Sequence, residues 1–121
     1  MENIIEVGLI KGRHEMPVNE YLFDGDIEDV FDYLNIRKHV INWINDNIHF
    51  QDDLDSFPTQ TDAYDIGVIR SIETLVVYIT GLTPVTVELI NACYLKGVKL
   101  ILMNYNKDTG KYVKQRVLTV G

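Results

Sequence analysis

From Ile4 to Ile10 apolar residues occupy both alternating sets of positions, Ile5, Val7 and Leu9 against Ile4, Gly8 and Ile10, with only Glu6 polar. That pattern predicts a strand buried on both faces. Gly12 ends it. A second short strand is predicted over Val18–Phe23, and the residues from Arg13 to Pro17 between the two make a loop of hairpin length. Asp24–Gly25 closes that strand. From Asp26 the period changes: Ile27, Val30, Phe31 and Leu34 fall at i, i+3, i+4 and i+7, predicting a helix with Asp26 as its cap. After Asn35 the pattern resumes with Ile36, Val40, Ile41, Ile44 and Ile48, a second helix or a kinked continuation to about Phe50 that leaves Trp43 off the stripe.

Residues 51–67 are polar, carry Pro58 and Gly67, and show no period. A surface loop of this length either has a job, such as covering a site or contacting another subunit, or contains a short helix. Ile72–Thr80 includes the run Leu75–Ile79 and reads as a central strand. Thr83 suits an N-cap, Pro84 the first helical position and Gly97 a left-handed C-cap, so a helix is expected over about 84–96. Lys99–Tyr105 is again a strand, making residues 74–105 a strand-helix-strand unit with an expected right-handed crossover. Asn106–Gly110 supplies a turn, and Tyr112–Val120 returns as an edge strand carrying Lys114 and Arg116. The expected fold class is α/β: a small mixed sheet with an N-terminal hairpin, one or two N-terminal helices, a C-terminal strand-helix-strand unit and a final hairpin. No internal repeat is visible.

The composition, 46% hydrophobic and 24% charged over 121 residues, is that of one globular domain spanning 1–121 with an acidic loop at 51–67. Cys93 is alone, so no intrachain disulfide forms, and Met1–Glu2–Asn3 lacks the basic and apolar regions of a secretory leader. A cytoplasmic protein is expected. No apolar run approaches the roughly 20 residues of a membrane span. A net charge of −7 argues against binding long nucleic acid, which needs a basic face. The charge is uneven: residues 1–66 carry four Lys/Arg against fifteen Asp/Glu, and residues 67–121 carry seven against three. An anionic ligand favours the second half, while Asp52, Asp53, Asp55, Asp62 and Asp65 serve equally well to solvate a loop.

Candidate chemistry concentrates at two places. In Gly12–Pro17, Arg13 suits a phosphate, His14 a base and Glu15 a ribose hydroxyl; a polar hairpin tip with a local Arg–Glu pair explains the same string. In Thr80–Thr86 a strand passes into a helix whose N-terminus can receive phosphate, with Thr83 and Thr86 beside it. The single Gly and Pro84 exclude a dinucleotide fingerprint or P-loop, and a helix satisfying its own backbone is the competing explanation. Asn104 and Tyr105 leave the next strand at the same carboxyl edge, where open α/β sheets bind ligands. Tyr112, Lys114 and Arg116 can add stacking and charge, though Lys and Arg on an outer strand also protect an edge. His39 and His49 do not have the i, i+4 spacing of a zinc helix, and Cys93 falls inside a helix as a structural thiol. No metal or cofactor is expected, and no catalytic constellation apart from an acid–base pairing of His14 and Glu15.

The strings GLIKGRHEMPVNEYLF (8–23) and LVVYITGLTPVTVELINACYLKGVKLILMNYN (75–106) resemble the small phage and prophage proteins of the Thoeris anti-defence sponge family. The resemblance spans most of the chain, excluding residues 51–67. It implies a counter-defence protein of the infected bacterial cytoplasm that binds the cyclic ADP-ribose isomer made by a TIR-domain sensor and holds it uncleaved. Some members also hold cyclic oligonucleotides, and members assemble as dimers within hexamers, so a homo-oligomer is implied. The binding residues expected from the loop and strand-end argument are Arg13, His14, Glu15, Thr83, Thr86, Asn104 and Arg116. Two alternatives of other classes stay open: a nucleotide-signal hydrolase using His14 and Glu15, and an acidic module that docks onto a basic protein.

Overall fold

A computed structural model describes residues 3–13, 15–50 and 70–118. In chain order these form β1 (Asn3–Ile10), β2 (Tyr21–Phe23), α1 (Tyr33–Asn47), β3 (Glu73–Tyr78), α2 (Thr83–Lys96), β4 (Lys99–Asn106) and β5 (Lys111–Val117). The strands make one mixed sheet in the order β2-β1-β3-β4-β5, an α/β architecture. β2, β1, β3 and β4 are parallel, and only β5 runs against them. The acidic loop at 51–67 and His14 lie outside the described residues.

The alternation along the strands decides the layers. Val7, Leu9, Leu75, Val77, Leu100 and Leu102 turn to one face, where α1 contributes Ile36, Val40 and Ile44 and α2 contributes Val85, Leu89, Ala92 and Cys93. Val76, Tyr78 and Ile101 turn to the other face, where Met16, Val18, Met103 and Tyr112 pack on them. Both helices therefore cover one face. Burial pushes the Cys93 thiol up to about 12, so it stays protonated as a structural thiol.

Two expectations are corrected here. The N-terminal hairpin does not form: β2 pairs parallel to β1, with Gly8 opposite Tyr21 and Ile10 opposite Phe23. Residues 11–20 make the crossover, and the register asks the chain to retreat by only two residues along β1. Gly12, at φ 91°, begins the reversal. Val18 leaves the strand pattern because it covers the helix-free face with Met16. The hand of the connections explains that choice. β2-α1-β3 and β3-α2-β4 step across the sheet in one direction with helices on one face, whereas β1 to β2 steps back. A right-handed connection in the reverse direction belongs on the opposite face, where Met16 and Val18 lie.

The helix expected over 26–34 is also absent, leaving α1 as the one N-terminal helix, capped by Asp32 accepting from the Asn35 N–H at 3.3 Å. Asp24, Asp26, Glu28, Asp29 and Asp32 crowd like charges into this stretch. The Asp29 carboxylate accepts from the Phe31 N–H at 2.9 Å, a local bond that competes with helix. Ile27 and Val30 still pack on the core, while Phe31 and Leu34 are exposed. At the second helix the N-cap is Leu82, one residue earlier than expected, and no side chain caps it. Gly97 ends α2 in the left-handed region at φ 70°, with the Val98 N–H donating to the Cys93 carbonyl at 2.9 Å.

Candidate functional site

Because β1, β3 and β4 are parallel, the segments that follow them emerge at one edge of the sheet: Lys11–Arg13, Ile79–Gly81 and the turn after Asn106. The strand order reverses at β1, so the connections after β1 and β3 leave toward opposite faces. This is the switch point at which open α/β sheets form a crevice. A cavity of about 760 Å³ opens beside it. Its walls come from the ends of β3 and β4 (Ile79, Thr80, Gly81, Asn104 and Tyr105), from the final hairpin (Lys107 and Tyr112), and from Glu15 of the crossover. An adjoining cavity of about 580 Å³, lined by Lys11, Gly12, Glu15, Met16, Pro17 and Tyr21, shares Glu15 with the first.

The aromatic wall is held by the register. Tyr105 pairs with Tyr112 across the hairpin, their ring centroids 5.3 Å apart, and Tyr112 meets the Tyr78 ring edge-on at 4.9 Å. Burial raises the Tyr112 phenol pKa, with Tyr105 and Tyr21 adding to it; burial and then the neighbouring Glu6 carboxylate do the same for Tyr78. Both phenols are therefore neutral donors. Tyr78 donates to Glu6 at 3.2 Å. Tyr105 is 54% exposed and keeps a ring available for stacking. Asn104 donates its Nδ2–H to Gln115 Oε1 at 2.8 Å. Thr80 is 8% exposed, and its hydroxyl has no hydrogen-bond partner. Lys107 brings the cation and Glu15 the anion.

Of the residues expected from sequence, Glu15 and Asn104 meet at this cavity. Arg13 does not line it; its guanidinium lies 4.0 Å from exposed Asp26, a surface pair worth little. Thr83 is the first residue of α2 and caps nothing. Thr86 donates its hydroxyl to the Leu82 carbonyl at 3.2 Å, satisfying its own helix. Arg116 stands opposite Ile101, four residues along β5 from Tyr112. At about 3.4 Å per residue that is about 14 Å from the cavity's aromatic wall. His14 lies outside the described residues.

Sequence reasoning named the Thr80–Thr86 segment without giving Thr80 a role, and passed over Lys107. Thr80 carries no local sign of being left unpaired, and Lys107 reads as an ordinary turn residue until the parallel pairing of β3 with β4 brings the turn after β4 beside the end of β3. Beyond β2, a separate cavity of about 500 Å³ is walled by Asp24, Asp26, Glu28, Asp29 and Asp32. Among the described residues no cluster of three or more His, Cys, Asp or Glu is placed to hold a metal ion. None of their helices is long and apolar enough to cross a membrane. Comparison of the chain with family models, curated proteins and solved structures finds no match.

Proposed function

We propose that the carboxyl-edge cavity binds a cyclic ADP-ribose isomer or a related cyclic nucleotide. The protein acts by holding this messenger uncleaved in the cytoplasm of an infected bacterium, so that a TIR-dependent defence effector is not switched on. The observation that carries the reading is that half-exposed Tyr105, Lys107 and Glu15 line one cavity of about 760 Å³ at the strand-order switch point. Its size falls within the range of small-molecule sites, about 300–1,000 Å³. An aromatic face suits a base, a cation a phosphate and a carboxylate a ribose hydroxyl or an amine. Sequestration needs tight binding, most of which comes from slow release. Exposed Phe31, Leu34, Tyr94 and Leu95 offer apolar surface for the homo-oligomer that the reading includes.

The test is to incubate the purified protein with a TIR-produced cyclic ADP-ribose isomer, remove free ligand, denature by heat and analyse the supernatant by mass spectrometry. Intact ligand in near-stoichiometric amount is expected. Linear products would favour the hydrolase, for which Glu15 stands at the cavity wall; recovery of no nucleotide would favour the acidic docking module. Tyr105→Ala should weaken binding by about 5- to 150-fold, the range of one base–aromatic stack. Arg116→Ala, off the cavity, should leave affinity unchanged in isothermal titration.

A further inference from the structure

We infer that Thr80 and Glu15 read the donor–acceptor edge of an amine-bearing heterocycle, of the 6-aminopurine kind, stacked on Tyr105. The inference rests on the nucleotide reading of the cavity and adds what selects the base. Thr80 holds the one buried side-chain polar atom among the described residues without a partner, and it lines the cavity. A buried hydroxyl left unpaired destabilises a fold, so a ligand group that completes it gains from doing so. Helix capping does not use this hydroxyl: no side chain caps α2, and the nearby Thr86 hydroxyl is spent on the Leu82 carbonyl.

The neighbouring polar groups lean toward accepting. An ionised Glu15 only accepts, while Asn104, with one Nδ2–H donating to Gln115, keeps its second N–H and its carbonyl oxygen. The Glu15 acceptor calls for a ligand donor, while the Thr80 hydroxyl can donate to a ring nitrogen. A 6-aminopurine presents an amine beside an unprotonated ring nitrogen. A 6-oxopurine presents the reverse, turning an oxygen toward a carboxylate. A phosphate is likewise repelled by Glu15 and belongs on the Lys107 side.

Isothermal titration of the full chain with AMP and with IMP, which differ at this edge alone, tests the inference. AMP should bind about tenfold or more tightly than IMP. Glu15→Gln, which supplies a donor to the oxo group, should narrow that ratio. Thr80→Val should weaken AMP about 3- to 10-fold, the scale of one hydrogen bond, with the thermal midpoint unchanged or raised because an orphaned hydroxyl has gone. Equal binding of AMP and IMP, or an unaltered AMP affinity in Thr80→Val, overturns the inference and leaves the nucleotide reading standing. A lowered midpoint in Thr80→Val also overturns it, since the hydroxyl would then be structural. Binding of neither nucleotide overturns it as well, and the nucleotide reading falls too if the cyclic isomer is not retained.

Discussion

Gly8 stands where β1 passes under the crossover. A Cβ built there would overlap the Tyr21 ring and lie 2.8 Å from the Met16 sulfur, closer than packed atoms come. The residue is glycine for room, since its φ is not positive. Gly8→Ala should lose about 1–3 kcal/mol in urea unfolding, the usual cost of overpacking. Adding Tyr21→Ala should recover part of that loss, and the coupling read from the double-mutant cycle measures the contact. In sequence Gly8 reads as a gap in a buried strand; its partners lie eight and thirteen residues on, and only the parallel pairing brings them over it.

Between elements, an ion pair joins the two helices and a histidine–carboxylate hydrogen bond ties the end of α1 to the sheet. Arg37 of α1 reaches Glu88 of α2 with Nε 2.7 Å from Oε1, and the Glu88 side chain is 7% exposed. A buried carboxylate that loses its cation keeps only the long bond from the Asn91 Nδ2–H at 3.4 Å, so Arg37→Met should destabilise by about 2–3 kcal/mol. Arg37→Met with Glu88→Leu should return close to wild type in chemical denaturation, because the desolvation cost goes with the charges. At the end of α1, Glu73 of β3 accepts from the His49 backbone N–H at 2.7 Å and from its Nδ1–H at 2.6 Å. Burial opposes ionisation of Glu73, but these bonds to His49 together outweigh it and hold the carboxyl below its usual range. A lowered native pKa contributes stability that is in place above the unfolded carboxylate value, about 4.3, and is lost as pH falls through the native value. Glu73→Gln should therefore flatten the acid limb of a stability-against-pH curve. Neither pair was legible in sequence, since Glu88 and Arg37 are 51 residues apart and His49 and Glu73 are 24 apart.

At the scale of the molecule, the parallel strands gather three chain segments at one edge, and the antiparallel β5 closes that edge with its hairpin. A ligand that binds this folded edge and not the unfolded chain stabilises the whole domain by mass action. At a free concentration 100 times Kd the gain is about 2.7 kcal/mol. For a chain of this size that raises the melting temperature by about 10 °C. A thermal scan with and without a cyclic ADP-ribose isomer should show this shift, and Tyr105→Ala should remove between about a third and nine-tenths of it at the same ligand concentration.

The sequence by itself determined the elements whose signals are local. The apolar runs of β1, β3 and β4 mark central strands, and the Ile36–Val40–Ile44 stripe marks α1. Pro84 and Gly97 bracket α2, and Gly110, at φ 71°, makes the last turn. Such patterns are set by backbone sterics and by one buried face, which neighbours in sequence suffice to specify. Tertiary structure alone decided the direction of β2, a strand of three residues with too little pattern to choose a partner. Its parallel docking follows from Met16 and Val18 covering the bare sheet face. It also decided which side chains share the cavity, bringing Glu15, Thr80 and Lys107 together from three connections. Their meeting depends on strand order and register, which are properties of the whole sheet and leave no mark at any single position in the chain.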